Sequence, residues 1–546
     1  MASTFNGLEV AKRALHAQQS ALYTTGHNIS NANTEGYTRQ RVNFAQTSPY
    51  PPASRNRPEI AGQVGSGVAA GSIERIRDSF IDKQYRQENT KVGYYEAKAD
   101  MMSKLESILN EPTDQGLSET FDLFWKSIQD LSTNPEDAGT RSVVKERGIA
   151  VAEAFRYIES SLQGVRENYA IEIGVEGTEI NSTIDQINQL NGQIAKIEPH
   201  GYVPNDLYDQ RDLLIDELSQ YVDIELSYKK SSGQPSPIAE GLVSIELKGE
   251  GITLVDGTGN SGQVGSDQAV NHIFADFDDD HNLETLYFAN PDRNIKPEDQ
   301  LQNLSDGTLT ATASIAGNEY DVQGKLKAMI DGSGYLDGGE PAGEINEFLA
   351  DLDKMVANFV EEFNSVHRSG YGLNNTTGVV FFNGTSAATI TVNEDIIKDP
   401  ELIAASTEEF DEDGNSTGGS TGNGENAIKL TEVYTKRYEQ FSEDGKAAIE
   451  DLSAELKDKQ SIKGFYESVI GEMGVVAEES MRMQNNSAIL RQQVNESRQA
   501  ISSVSLDEEM TNLIQFQHAY NAAARNMTVV DEMLDRIINN MGLVGR

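Results

Sequence analysis

Acidic runs come closest, among the residues of this sequence, to the type and spacing of a chemical site. The run "DFDDDHN" carries carboxylates at Asp276 and at the second and fourth residues after it, where an EF-hand loop has its first three calcium ligands. That loop requires Gly at its sixth position and a bidentate Glu at its twelfth, but this chain has His281 and Tyr287 there. A second run, "DEDGNS", fails at the same two positions with Ser416 and Gly422. We therefore interpret both runs as solvated turns and predict no metal site.

Other reactive side chains lack the partners that catalysis or metal binding requires. The chain has no Cys, which excludes disulfides and thiol nucleophiles, and its seven His show no HExxH or paired spacing for zinc. We interpret the histidines as isolated surface or seam residues, with His518 off the C-terminal apolar seam. No GK[ST] follows Gly62, Gly65, Gly67 and Gly71, which indicates a turn rather than a phosphate-binding loop. Carboxylates are numerous enough for a glycosidase pair, but no two are distinguished from the rest. We predict a protein that is not an enzyme and binds no cofactor.

Length, charge and hydropathy limit the class of protein and its partners. A chain of 546 residues with 37% apolar side chains is long enough for several buried cores. Its formal charge of -43 would repel nucleic-acid phosphates and anionic lipid surfaces, so we predict neither nucleic acid nor membrane as a partner. No run of about 18 apolar residues is present to span a bilayer, and the opening "MASTFNGLEVAKRALHAQQS" lacks the apolar centre of a secretory signal peptide. We expect a multidomain globular protein without a general secretion signal.

Both ends of the chain carry apolar seams typical of coiled-coil helices. The N-terminal seam repeats every seven residues through Leu8, Leu15, Leu22 and Ile29, with Ala11, Gln18 and Thr25 in the complementary positions. That helix should end near Ser30, because "SNANTEGYTRQ" supplies turn-forming Asn and Gly. The C-terminal seam repeats through Leu506, Leu513, Tyr520, Met527, Leu534 and Met541, with Phe516, Ala523, Val530 and Ile537 as its complement.

Two helical regions flank a region of strand-like alternation in the middle of the chain. Helical spacing is predicted for Phe121 to Leu131, for Val151 to Ile194 before Pro199, for Ile345 to Val366 and for Val469 to Val494. Alternation of apolar and opposite-facing residues predicts strands at Val243 to Leu247 and at Leu309 to Ile315. The stretch from Glu401 to Ile428 has seven carboxylates and no Lys or Arg, which predicts a flexible surface loop.

These patterns predict an α+β, elongated, multidomain fold that joins terminal coiled-coil helices to a long helical bundle with an inserted β domain. The predicted divisions are residues 1–75 (N-terminal axial helix and following loop), 76–224 (first part of the helical domain), 225–335 (inserted β domain), 336–499 (second helical part, with the acidic loop at 401–428) and 500–546 (C-terminal axial helix).

The two terminal seams are expected to pack against one another. An isolated amphipathic helix of about 25 residues is marginal in water, so each seam needs an apolar partner. The pair could be parallel or antiparallel. Small or polar seam residues such as Ala11, Gln18 and Thr25 reduce its apolar area, which favours further burial against neighbouring subunits. The alternative is a coiled coil that is complete within one monomer.

The chain ends resemble the terminal signatures of bacterial flagellar rod, hook and hook-associated proteins. "NISNANTEGYTRQRV" is similar to the N-terminal signature, whose residues here are Asn28, Asn31, Asn33, Gly36 and Tyr37. "SLDEEMTNLIQFQHAYNAAARNMTVVDEMLDRIINNMG" resembles the C-terminal signature, whose residues here are Leu513, Phe516, Gln517, Tyr520, Ala523, Val530, Met533 and Leu534.

Internal segments resemble one family in that group, the FlgK hook–filament junction proteins. "NDLYDQRDLLIDELSQYVDIEL" at residues 205–226 looks like the DQRD segment of that family, and "FVEEFNSVHRSGYGLNNTTGVVFF" at 359–382 looks like a second internal motif. The helices at 101–199 lie where the family has a helical domain. The acidic loop matches no family motif.

This resemblance implies a structural junction subunit that connects hook to filament in the extracellular flagellum. It implies export through the flagellar type III apparatus with an export chaperone, self-association in a helical layer, and contacts with the hook protein and with the next junction protein on the filament side. The expected assembly interface comprises Leu8, Leu15, Leu22, Asn28, Ile29, Asn31, Asn33, Gly36, Tyr37, Leu513, Phe516, Tyr520, Met527, Val530, Leu534 and Met541. The alternatives are another axial subunit of hook or rod type or a flagellin, a flagellar peptidoglycan hydrolase, and an adhesin that uses the β insert.

Overall fold

The computed structural model describes residues 5–51, 54–55, 62–109, 116–410, 416–436 and 461–540. Its helices, in chain order, are α1 (Phe5–Ser30), α2 (Ser79–Leu109), α3 (Leu117–Thr133), α4 (Ala138–Ile197), α5 (Asn205–Tyr221), α6 (Pro297–Ser305), α7 (Lys325–Ser333), α8 (Glu344–Ser369), α9 (Glu394–Lys398), α10 (Glu425–Val433), α11 (Ile462–Ser502) and α12 (Leu506–Asn540). Within those ranges, no helix has a stretch long and apolar enough to cross a bilayer.

The strands form small, separate sheets. They are β1 (Gln40–Gln46), β2 (Val68–Arg75), β3 (Ile224–Lys229), β4 (Leu242–Leu247), β5 (Thr253–Val255), β6 (His272–Phe277), β7 (Leu283–Ala289), β8 (Ala313–Ala316), β9 (Tyr335–Asp337), β10 (Glu340–Ala342), β11 (Phe382–Asn383), β12 (Thr391–Val392), β13 (Glu409–Phe410) and β14 (Ser416–Gly418). The sheet orders are β3-β4-β5 and β10-β9-β7-β6 with β8 beside β7, and the pairs β1-β2, β11-β12 and β13-β14 form antiparallel hairpins.

Helix α4 is a rod of 60 residues, about 90 Å long at 1.5 Å per residue. Its buried face recurs at spacings of three and four residues, as the sequence predicts for Val151, Phe155 and Ile158. A 3-10 turn at Glu198–His200 ends the helix, and Gly201 takes the left-handed conformation with φ of 83°. The rod spans both the helical and the strand-rich parts of the molecule, so it organises the whole core.

Aromatic side chains join segments of the helical region that are distant in sequence. Phe124 of α3 lies 5.5 Å from Phe363 of α8, measured between ring centroids, and Trp125 lies 6.1 Å from Phe359. Phe359 also lies 5.0 Å from Phe382 of β11. These rings are almost completely buried, so the helices before and after the strand-rich region share one core.

The region at 225–335 contains helices as well as strands. Helix α6 begins at Pro297, a residue suited to the first helical position, and Leu326 and Met329 of α7 are buried at helical spacing. The predicted strand from Leu309 to Ile315 is shorter than expected, since β8 begins at Ala313. Leu309 N donates instead to Asn303 O at 2.7 Å, which ties that residue to the last turns of α6.

The prediction that all histidines are surface or seam residues is wrong for His367. This residue is buried in the core at the end of α8. Its Nδ1 lies 2.8 Å from Val379 O, and its Nε2 accepts a hydrogen bond from Ala404 N at 3.0 Å. Desolvation lowers the pKa of His367 to about 4, so the ring is neutral at physiological pH and both nitrogens are satisfied.

The described parts of the acidic segment 401–428 are more regular than the flexible loop that was expected. Strands β13 and β14 form a hairpin there, and α10 begins at Glu425. Asn423 Nδ2 donates to Glu409 Oε1 at 2.9 Å and to Thr407 Oγ1 at 3.1 Å, which closes the base of the hairpin. Residues 411–415 of this prediction lie outside the described residues.

The main apolar core leaves out both ends of the chain. Its fully buried members run from Met101 to Ala477 in sequence. Among the described residues, none of its fully buried members comes from 5–100 or from 478–540. The chain ends must therefore be positioned by other contacts.

Candidate assembly interface

Helices α1 and α12 bring the two ends of the chain together as an antiparallel pair. A Cβ added at Gly7, near the start of α1, would lie 3.4 Å from Val530 Cγ2 in α12. Asn28, near the end of α1, donates to Glu509 Oε2 at 3.0 Å near the start of α12. The two contacts are 21 residues apart on each helix, so the helices run side by side in opposite directions without a change of register. Of the two orientations left open by the sequence, the chain adopts the antiparallel one.

The predicted seams lie in this pair of helices, but the fully buried residues of α1 are mostly small or polar. The fully buried residues of α1 are Ala11, Ala17, Ala21, Thr24, Thr25 and Asn28. The predicted Leu8, Leu15, Leu22 and Ile29 are half-buried. On α12, Ala523 and Leu534 are buried, whereas Leu513, Phe516, Tyr520, Met527 and Val530 are half-buried. The most buried side chains of α1 are thus small or polar, and the predicted leucines are only partly covered. Met541 lies outside the described residues.

Asn28 is the polar centre of the pair, and its amide makes four hydrogen bonds. Nδ2 donates to Gln40 O at 2.8 Å and to Glu509 Oε2 at 3.0 Å. Oδ1 accepts from Gln40 N at 3.0 Å and from the Tyr37 hydroxyl at 2.8 Å. Burial, followed by nearby carboxylates led by Asp209, raises the pKa of Tyr37 well above its ordinary value, which keeps the hydroxyl protonated. Asn28 therefore uses two donors and two acceptors to join α1, the following loop and α12.

The loop after α1 turns the chain onto α5. Asn31 Nδ2 donates back to His27 O at 3.1 Å and closes the end of the helix. Gly36 has φ of 75° and lies against α5, where an added Cβ would come within 3.3 Å of Leu213 Cβ. Glycine suits this position because both the conformation and the close approach disfavour a side chain. Asn33 is exposed in the same loop.

The side of α12 that α1 does not cover is apolar and exposed. This open face of α12 consists of Met510, Ile514, Val529 and Met533. Leu506, Ile537 and Ile538 are also exposed, but they lie at the two ends of α12 in line with its seam. Among the described residues, 27 large apolar side chains are exposed, and 18 of them belong to residues 5–100 or 461–540. About a third of the chain thus carries two thirds of these side chains. Such a concentration marks an interaction surface rather than scattered surface residues.

Formal charge is divided between the same two parts of the chain. Residues 101–460 contain 67 Asp and Glu against 25 Lys and Arg, a formal charge of -42. The remaining residues contain 20 acidic against 19 basic side chains, a formal charge of -1. The parts that carry the exposed apolar side chains are therefore close to neutral, which removes the repulsion that would oppose packing between copies.

A buried arginine–carboxylate cluster lies where the helix pair meets the rest of the chain, and the sequence analysis missed it. Its members are Arg75, Arg77, Asp82, Arg86, Asp209, Arg211, Asp212, Asp216, Glu240 and Arg498. The available signal was on α5, where Asp209, Asp212 and Asp216 recur at spacings of three and four residues and so share one face. Arg211 lies on α5 itself, but the other four arginines come from β2, the link after it, α2 and α11, and periodicity does not show which segments meet.

The electrostatics of this cluster favour the charged forms of Asp212 and Arg75. Burial alone would raise the pKa of Asp212, but the surrounding guanidinium groups, led by Arg77, outweigh burial and hold that pKa well below its ordinary value. Burial alone would lower the pKa of Arg75, but the carboxylates of Asp212 and Glu240 hold it well above its ordinary value. The charges of these two residues are therefore stabilised by the opposite charges around them, whereas burial outweighs Arg75 and raises the pKa of Asp209.

The His, Asp and Glu side chains of the described residues are not arranged as they would be in a metal centre. Among the described residues, no three or more His, Asp or Glu side chains are placed to hold a metal ion together. In the "DFDDDHN" run, Asp278 accepts hydrogen bonds from Asn282 N at 2.7 Å and from Asn282 Nδ2 at 2.8 Å. These bonds close a turn, as the sequence predicts.

Comparisons with known proteins define the class of the chain from its ends. The family model described as "Flagella basal body rod protein" matches residues 8–38. The model described as "Flagellar basal body rod FlgEFG protein C-terminal" matches residues 497–541. These matches cover α1 and α12, so the helix pair is the part shared with flagellar axial proteins.

The middle of the chain defines the family within that class. The model described as "Flagellar hook-associated protein FlgK helical domain" matches residues 102–382. The chain is 41% identical to flagellar hook-associated protein 1 of Bacillus subtilis (strain 168) over 560 residues, covering 100% of both chains. It is 24% identical to flagellar hook-associated protein 1 of Escherichia coli (strain K12) over 593 residues, covering 97% of this chain and 98% of that one. The chain belongs to the FlgK family of flagellar hook-associated proteins, which confirms the resemblance.

A solved structure agrees with this fold. The flagellar hook junction protein FlgK from Burkholderia pseudomallei superposes with a TM-score of 0.54 at 13% identity, covering 78% of this chain and 100% of that one. The likeness is one of fold, and it confirms the predicted elongated α+β architecture.

Proposed function

We propose that this chain is a structural subunit that joins the flagellar hook to the filament and assembles through the α1–α12 pair. The observation that carries the proposal is the open face of α12. Its four large apolar side chains are exposed on a helix whose other side already packs on α1. A surface of this kind is completed by neighbouring copies of the chain, which form a helical layer.

The energetics favour assembly on a template over assembly of free subunits. Full burial of one fully exposed large apolar side chain contributes about 1.5–3 kcal/mol. The four residues of the open face are 47–58% exposed, so covering them contributes about half of that, on the order of 3–6 kcal/mol. Association itself costs about 4–15 kcal/mol in lost translational and rotational freedom. The gain lies at or below this cost, so a single contact between two copies is marginal. Several neighbours, or the end of an existing structure, would supply the remaining burial.

The division of charge suggests the orientation of the subunit in the layer. The near-neutral parts at residues 1–100 and 461–546, which include the helix pair, can pack closely with their copies, whereas the bodies at residues 101–460, each with a formal charge of -42, repel one another. A tube with the helix pairs inside and the bodies outside satisfies both conditions. Such a layer uses heterologous contacts, in which each copy offers two different surfaces.

Membership of the FlgK family supports the partners of this layer. We place the hook protein on one side and the next junction protein on the filament side. We also propose an export chaperone, delivery through the flagellar type III apparatus and a final location in the extracellular flagellum. The role is structural and involves no catalysis. Incubation with purified cell wall tests that statement, because released muropeptides would show a hydrolase.

The experiment that tests the junction role removes the chain from the cell. We expect cells that lack it to keep their hooks, to lose their filaments and to release filament protein into the medium, and re-expression should restore attachment. Filaments that remain attached would contradict the junction role. Loss of the hook itself would instead indicate a hook or rod subunit, the nearest alternative.

A further inference from the structure

The connection between the α1–α12 pair and the rest of the chain is polar. Two backbone hydrogen bonds link the segments that pass between them, from Arg39 N to Ser502 O at 2.9 Å and from Ile76 N to Arg39 O at 2.8 Å. In the part of the chain that the structure describes, no apolar core has a fully buried member among residues 5–100. The main apolar cores therefore do not extend into the helix pair, and polar contacts form most of the connection.

Arg75, the last residue of β2, reaches from the hairpin beside the helix pair into the body. Its Nη1 lies 2.7 Å from Asp209 Oδ1, its Nη2 lies 2.9 Å from Asp212 Oδ2, and it also contacts the Glu240 carboxylate. Its guanidinium carbon lies 5.2 Å from the centroid of the Tyr208 ring. The Arg75 side chain is only 3% exposed, so salt in the solvent screens these contacts little.

Other members of the arginine–carboxylate cluster tie the neighbouring helices to the same place. Arg86 Nε of α2 lies 2.7 Å from Asp216 Oδ1 of α5, and Arg498 Nη1 of α11 lies 2.6 Å from Asp216 Oδ2. Arg77 lines two open pockets, of about 680 and 700 Å³. Beside these pockets, the ion pairs connect the elements together with hydrogen bonds from Thr38 N to Asp209 Oδ2 and from Gln40 Nε2 to Asp206 Oδ1, both at 3.1 Å.

We propose that the arginine–carboxylate cluster is an electrostatic joint that sets the angle between the α1–α12 pair and the body, with Arg75 as its coupling residue. The ten members balance as five arginines and five carboxylates, so loss of one charge leaves an opposite charge buried without compensation. The forked guanidinium groups also make directional contacts, which hold one angle rather than a range of angles. The value of a stiff joint rests on the proposed function, since bodies in a layer must stand at a fixed angle to its axis.

Spin labels can measure this angle because the chain has no Cys, and each introduced Cys is therefore unique. Labels at Tyr23→Cys in α1 and Tyr202→Cys before α5 report the distance across the joint, and both positions are 70% exposed. Labels at Val175→Cys and Tyr202→Cys report the folding of the body alone. Double electron–electron resonance on the purified chain should give narrow distance distributions for both pairs.

Arg75→Gln should broaden or split the distribution across the joint while the distribution within the body stays narrow. Arg41→Gln is the matched control, because Arg41 lies in the same hairpin and its ion pair with Glu74 is exposed. The control should leave both distributions narrow. An Arg75→Gln distribution across the joint as narrow as that of the unchanged chain would overturn the proposal.

If Arg75→Gln unfolds the body, a second variant still tests the proposal. Arg75→Lys keeps the charge but loses the fork, and it should broaden the distribution across the joint to a smaller extent. A narrow distribution for that variant would then overturn the joint. Because the measurement uses unassembled chain, its failure leaves assembly through α12 unaffected, and failure of assembly leaves the joint unaffected.

Discussion

Replacing Asn28 should selectively loosen the helix pair. Asn28→Ala removes the side-chain partners of Gln40 N and Gln40 O, both in a buried residue, and also removes one partner each from Tyr37 and Glu509. A buried polar group left without a partner costs about 1–3 kcal/mol. The two backbone groups together therefore cost about 4 kcal/mol, which corresponds to a roughly thousandfold change in an equilibrium constant.

Amide hydrogen exchange measures this change segment by segment. Protection in residues 20–45 and 506–525 should fall about a thousandfold in Asn28→Ala, or disappear where it is smaller than that in the unchanged chain. Protection of α4 should stay the same, because the main core does not include the helix pair.

The matched control is Asn33→Ala, which alters an exposed residue of the same loop. Its effect should stay within about 0.5 kcal/mol, or two- to threefold in protection. If the two ends are protected from exchange in the unchanged chain, a fall in their protection of less than tenfold in Asn28→Ala would refute the reasoning. Ends without any protection in the unchanged chain would show that the pair does not form before assembly.

Two further predictions concern the body. His367 has a folded pKa of about 4 against 6.5 in the unfolded chain, so its contribution to stability is complete above pH 6.5 and is lost as pH falls toward 4, by about 3 kcal/mol. In urea unfolding from pH 7.5 to 4.5, the free energy of unfolding of the unchanged chain should exceed that of His367→Gln by an amount that shrinks across this range. The exposed variant His200→Gln should show the same pH dependence as the unchanged chain. A difference between the unchanged chain and His367→Gln that does not vary with pH would contradict this prediction. Gly93→Ala should destabilise the body by about 1–3 kcal/mol or more, because its Cβ would lie 2.1 Å from Gln220 O. Gly174→Ala, where the space is open, should stabilise the chain by up to about 1 kcal/mol, and equal thermal midpoints for the two alanine variants would refute the packing argument.

The long helices were predictable from the sequence because an apolar period of three to four residues, sustained over several turns, matches the geometry of a helix and not that of a strand. Helices α1, α4, α8 and α12 all follow runs of this kind. Short elements were less predictable. The alternation from Leu309 to Ile315 also fits a segment that binds the end of a helix, and tertiary contacts decided between the two conformations.

The assembly region was predictable in outline and less so in detail. The heptads indicated which faces of α1 and α12 are apolar, but they could not show that Ala17 and Ala21 are fully buried whereas Leu15 and Leu22 are only half-buried. The arginine–carboxylate cluster was missed for a related reason. A helical pattern shows which residues share a face, whereas the partners of a buried charge come from segments that only the fold brings together.

Charge substitution on the open face of α12 is the most direct test of assembly through the helix pair. Ile514→Asp and Met533→Asp place carboxylates on that face, while Ile397→Asp places one on an exposed apolar position of the body. In cells that lack the chromosomal copy, the fraction of hooks that carry a filament should fall to background for the first two variants and stay normal for the third. Circular dichroism should show all three folded as the unchanged chain. Normal filament attachment with Ile514→Asp and Met533→Asp combined would contradict assembly through the helix pair.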